Sequence, residues 1–150
     1  MSLAEDERYT FSSLMSLLIE CENKLQKYYL TASAATSDSQ LATVLADFAK
    51  SISRSVASMQ RARVETVVEM TLEPISNLKI ADQISSINRG IEIGKAGYVQ
   101  ALTPLEGAVS QLYLQVSPKL ASMSAETGEL LLKLAREGNE RVNALELLKH

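Results

Sequence analysis

Two residue pairs at one spacing constrain this chain more than anything else in it: Glu22 and Tyr29 are seven positions apart, and so are Glu106 and Tyr113. Seven residues make two helical turns, so within each pair the carboxylate and the phenol face the same way. Around the first pair, Leu14, Leu18, Cys21, Leu25, Tyr28, Ala32 and Ala35 recur in steps of three and four, the stripe of an amphipathic helix. The repeat predicts two similar helical halves, each turning one Glu and one Tyr inward among apolar side chains.

The stripe predicts a first helix over about 4–35. Ser37-Asp38-Ser39-Gln40 has the form of a capping box and starts a second helix near 38, whose face carries Leu41, Leu45, Phe48, Ile52, Val56 and Met59. Pro74 cannot sit in a helix interior, so that helix ends near 72. Ile80, Ile84, Ile87, Ile91 and Tyr98 mark a third helix over about 80–102. Thr103-Pro104-Leu105-Glu106 places Pro in a first turn and opens a fourth, 104–121; Leu130, Leu131, Leu134, Val142, Leu145 and Leu148 make a fifth, 126–148. The expected fold is all-α, one domain over residues 1–150, with the stretch 73–103 long enough to cross from one end of a bundle to the other. On the third helix Gly90, Gly94, Gly97 and Ala101 share a face that admits a close backbone neighbour, either a helix of the same chain or a second copy; a homodimer is the expected assembly.

Charge and composition exclude several function classes. The formal net charge of -3, with Lys and Arg scattered among acids, gives no basic field for a phosphate backbone, so no nucleic-acid partner is expected. No uncharged apolar run approaches about 18 residues, and the first ten residues lack the basic start and apolar core of a signal peptide, so no membrane partner and a cytoplasmic location are expected. Cys21 stands alone within an apolar stripe and reads as a small buried hydrophobe. Gly90 to Ala96 has one residue too few between its glycines for a phosphate loop, and Ala96 replaces the required hydroxyl. With His150 the only histidine, and terminal, no Ser-His-Asp or Cys-His arrangement exists, and no catalytic residue is assigned.

The stretches Glu22 to Met59 and Glu106 to Leu145 resemble the two halves of a rubrerythrin-like member of the ferritin-like superfamily. The best-matching piece, Leu132 to Leu145, is similar to that family's helix reading Leu-Ala-x-x-Glu-x-x-His-x-x-Ala-Leu. The resemblance implies a ferritin-like four-helix bundle: antiparallel helix pairs joined by a long crossover containing an extra helix. In such bundles two helices each give one Glu to a di-iron centre, and the other two each give a Glu-x-x-His. Carried over, the single Glu ligands fall on Glu22 and Glu106, and both are kept. The Glu-x-x-His positions fall on Ile52 and Ser55 and on Gly138 and Arg141, so all four have changed. Glu137 and Glu140 lie one residue off register, about 100° of rotation, and read as a solvated flank with Glu137 paired to Arg141.

Two acids in an apolar interior without metal need compensation, or at least one pKa rises. Tyr29, Tyr113 and Ser55 are the candidate donors, water in the space opened by Gly138 another source, and Arg141, at a lost histidine position, the candidate counter-charge. The expected function is that of a catalytically degenerate ferritin-like bundle, non-enzymatic and without cofactor, serving binding or assembly. The alternative is a residual metalloprotein in which Glu22 and Glu106, with Glu137 or Glu140, hold one divalent Fe or Mn ion. A third reading is a helical regulatory or adaptor domain whose likeness to the family is coincidental heptad packing.

Overall fold

A computed structural model describes residues 7–70, 74–76, 78–94 and 99–148, without the side chains of 67–70. The described residues form five α-helices: α1 (Phe11–Ala35), α2 (Ser39–Met70), α3 (Ala81–Gly94), α4 (Leu102–Ala121) and α5 (Ala125–Leu148), with one 3₁₀ turn at Val99–Ala101 ahead of α4. None is long and apolar enough to cross a membrane among the described residues.

Helix starts follow local side-chain chemistry. α1 begins at Phe11, not near residue 4, because Thr10 and Ser13 exchange hydrogen bonds between side chain and backbone in a capping box. At α2 the cap is Asp38 rather than Ser37, its Oδ1 accepting from the amides of Gln40 and Leu41 at 3.1 Å each. Ser124 caps α5 by accepting from the Thr127 amide. α4 has no side-chain cap and starts two residues earlier than Pro104 implies, with Pro104 still inside the first turn, where its missing N–H costs nothing. The third helix is described over Ala81–Gly94; it does not reach 102 as its apolar spacing predicts, since Val99–Ala101 is a 3₁₀ turn, and the positions Gly97 and Tyr98 lie outside the described residues.

α1 and α2 form an antiparallel hairpin: Ser33 Oγ donates to Ala42 O at 2.7 Å beside the turn, and Arg63 Nε donates to Ser12 Oγ at 3.1 Å at the far end. α4 and α5 form another, stitched by Ser117 Oγ to Gly128 O at 2.8 Å and Ser110 Oγ to Ala135 O at 3.2 Å. Serine is small enough to let these backbones approach while satisfying its own hydroxyl on a neighbouring carbonyl. Leu14, Leu18, Leu25, Leu45, Ile52, Met59, Leu112 and Leu131 are fully buried in one continuous core. Each such side chain contributes about 1.5–3 kcal/mol by leaving water.

The chain leaves α2 near the start of α1, where Tyr9 and Ile75 pair as an antiparallel bridge, and enters α4 near the second half of α1. α3 covers that distance, running parallel to α1: Asn88 accepts from Lys24 Nζ at 3.1 Å, and further along Gly94 lies under the Tyr28 ring. A methyl group at Gly94 would stand 1.8 Å from Tyr28 Cε2, and one at Gly90 3.3 Å from Leu105 Cδ1. Those two small residues thus serve packing within the chain. The α3 N-terminus is held by Glu7, whose Oε1 accepts from the amides of Ile80 at 2.9 Å and Ala81 at 3.1 Å and from Tyr9 Oη at 2.6 Å.

Candidate functional site

Glu22 and Glu106 both sit in the core at 1% exposure, each inside an otherwise apolar helix face. The tyrosines reach them crosswise. Tyr29 Oη on α1 donates to Glu106 Oε2 on α4 at 2.5 Å, and Tyr113 Oη on α4 donates to Glu22 Oε1 on α1 at 2.6 Å. This reciprocity follows from the shared seven-residue spacing on two helices that run antiparallel: aligning one Glu with one Tyr automatically aligns the other pair. Phe48 on α2 meets the Tyr29 ring edge-on, centroids 5.8 Å apart and planes at 90°.

Arg141 supplies the counter-charge. Its Nε donates to Glu106 Oε2 and its Nη2 to Glu106 Oε1 at 3.2 Å, a two-pronged contact between groups that are both buried. Burial works against the guanidinium charge, but the Glu106 hydrogen bond and charge outweigh it and raise its pKa. Arg141 therefore turns inward and is not the surface partner of Glu137 that four-residue spacing suggested. Glu140 is exposed, while Glu137 is half-buried and close enough for its charge to act on Glu22.

The two carboxylates are unequal. Glu22 Oε2 has no hydrogen-bond partner, and burial pushes the Glu22 carboxyl up from its ordinary 4.5 to about 7. The Tyr113 bond and the Arg141 charge pull it down; Glu106 and Glu137 push it further up. Burial, with the adjacent carboxylates, also raises both Tyr29 and Tyr113 far above the ordinary phenol value, so each keeps its proton and acts as a donor. Burial pushes the Cys21 thiol up to about 11, which makes it inert.

Ser55 is buried but donates to Ser51 O in its own helix at 3.2 Å and joins neither Glu. Gly138 sits at a close approach between α5 and α4. A methyl group there would lie 2.5 Å from Ser110 Oγ and 3.2 Å from Glu106 Oε1, so the glycine is what lets α5 approach the Glu106 carboxylate. Ile52, Ser55, Gly138 and Arg141, the four positions that the resemblance would set against Glu-x-x-His, are all buried. Ser110 has no place among the residues singled out in the sequence, though it has a spacing signal, being seven residues before Ser117; Phe48 was placed on the apolar face of the second helix without its contact to Tyr29.

A hard divalent ion of the Mn type takes about six oxygen donors. Here both Glu106 oxygens are engaged by Arg141 and Tyr29, one Glu22 oxygen is engaged by Tyr113, and no group of three or more His, Cys, Asp or Glu could hold an ion among the described residues. The donor set does not fit a di-iron centre. It suits hydrogen-bonded neutralisation: a guanidinium for one carboxylate and a phenol for each. No family model matches the chain, and comparison with curated proteins and with solved structures gives no match.

Proposed function

We propose that this chain is a ferritin-like four-helix bundle, akin to the rubrerythrin-like proteins, in which an arginine and two tyrosines stand where metal ions would otherwise be held, and that it works as a non-enzymatic binding or assembly module. The observation that carries this reading is the two-pronged contact of Arg141 with Glu106, which places a fixed positive charge at the core carboxylates from a position where the resembled family has a histidine ligand. The two antiparallel hairpins, with α3 in the stretch between them, are in keeping with the crossover such a fold requires. Assembly as a homodimer is part of the proposal. It draws on large apolar side chains left exposed, Ile93 at 68% and Leu147 at 78%, and sedimentation at micromolar concentration measures it.

Anaerobic incubation with Fe²⁺ or Mn²⁺, desalting and metal analysis tests the core. Retained metal well below one equivalent per chain is expected; near-stoichiometric metal, lost on Glu22→Ala or Glu106→Ala, overturns the reading. One observation favours the alternative of a single carboxylate-held Fe or Mn ion: Glu22 Oε2 is unpartnered and Glu137 is near it. That alternative requires the retained metal to vanish on Glu22→Ala and on Glu137→Ala. Installing Glu at positions 52 and 138 and His at 55 and 141 tests the ferritin-like assignment itself, because only that backbone arrangement turns all four toward one centre. Metal uptake by this quadruple variant is the expected result, and failure of a folded quadruple variant to take up metal sinks the assignment.

A further inference from the structure

The groove between α1 and α3 lies away from the core carboxylates and has a different chemistry. It encloses about 300 Å³, the lower end of the range for small-molecule sites. Its floor is apolar: the Tyr28 ring, admitted beneath α3 only because residue 94 is a glycine, and Ile91. Two lysines from successive turns of α1 stand along it. Lys24 is engaged, 3.0 Å from Glu20 Oε1 and 3.1 Å from Asn88 Oδ1. Lys27 is exposed and has no ion-pair partner among the described residues, and the wall's one acid, Glu92, is itself engaged in another interaction. An apolar trough with an uncommitted ammonium beside it is complementary to a chain or ring that ends in one negative charge, and both lysine stems extend the apolar wall.

We propose that this groove binds a small amphipathic carboxylate, its aliphatic part against Tyr28 and Ile91 and its head on Lys27. This gives the binding role a ligand class, yet it uses none of the core network, so metal in the core would overturn the reading above and leave this site untouched. The test is titration of the full chain with decanoate followed by amide chemical shifts. Saturable shifts confined to residues 24–31 and the end of α3 are expected, with a dissociation constant of about 1 mM or tighter, in line with a ligand of this size. Decanol, which lacks the charge, and Lys27→Glu, an exposed change that leaves the fold intact, are each expected to weaken binding about tenfold or more. Lys133→Glu, on α5, leaves it unchanged. Shifts that do not saturate, that map elsewhere, or that are the same for decanol and for Lys27→Glu overturn the proposal.

Discussion

Glu22 and Glu106 are the same residue type, at the same depth, on helices of similar pattern, yet one is complete and the other is not. Glu106 receives a phenol and two guanidinium donors across its two oxygens. Glu22 receives one phenol and leaves an oxygen bare. The contrast teaches that burial alone does not decide what a core acid costs; the decisive variable is whether a cation was placed within reach. With a single Arg141 for two carboxylates, the buried group carries one negative charge too many when both are ionised, and a proton on Glu22 is the available remedy.

The comparison breaks most severely at the arginine. Arg141→Leu strands the Glu106 charge and is expected to cost about 3–5 kcal/mol, measured as the fall in urea unfolding free energy. Adding Glu106→Gln to Arg141→Leu removes the stranded charge and is expected to recover at least half; no recovery would mean that packing around Arg141, not charge, holds the seam.

Next in size is the pH response of the Glu22 half. Below about pH 4.5 this carboxyl is protonated folded and unfolded; between about 4.5 and 7 the folded state alone keeps the proton; above about 7 both states are ionised. The folded pKa being the raised one, its contribution is full at low pH and fades as pH climbs through that window, by about 3 kcal/mol in all. Urea midpoints from pH 4 to 8 for the wild type and Glu22→Gln measure it, and Glu22→Gln is expected to flatten the slope. Identical profiles for the two proteins would erase the inequality between the carboxylates.

Gly138→Ala probes the crowded half. Its new methyl would press on Ser110 Oγ and Glu106 Oε1, and a net loss of about 1–2 kcal/mol is expected after the gain in helix propensity. In a Ser110→Ala background the loss should shrink, measured by the same unfolding assay. The last test reads a difference of only about 1 kcal/mol between two variants. At pH 8, Tyr113→Phe leaves Glu22 without any donor and is expected to cost about 2 kcal/mol, whereas Tyr29→Phe leaves Arg141 on Glu106 and is expected to cost about 1. Equal costs, read from thermal midpoints, would show that Arg141 does not substitute for a phenol.

Much of this was legible in the residues because it rests on helical periodicity. The two Glu–Tyr pairs and the inward faces of Ile52 and Leu45 follow from spacing, whereas the antiparallel helix pairs were implied by the family resemblance. Arg141 was named as a counter-charge only through the family resemblance, at the place of a lost histidine, while four-residue spacing paired it with Glu137 on the surface; its burial on the face of Leu134 and Leu145 decides between the two. The rest depends on contacts distant in sequence. That each tyrosine serves the other hairpin's acid requires knowing how α1 and α4 align. That Glu7 holds the start of α3, 73 and 74 residues away, has no local signature. That Val99–Ala101 is a 3₁₀ turn leading into α4, and not the last turn of the third helix, has no signal in the apolar spacing. Asp38 rather than Ser37 as a cap is a choice among neighbouring residues that all make good caps.

The crosswise tyrosines carry one more consequence. Each acid draws its phenol from the other hairpin: Glu22, with no other donor, depends on Tyr113, and Glu106, held by Arg141 of its own hairpin, adds Tyr29. A fragment ending after α2 would strand an acid that nothing in it is seen to satisfy, so the halves gain by folding jointly. The donors are also indifferent to which molecule they come from, and two copies that traded α4–α5 arms across the long connection would lose none of these bonds.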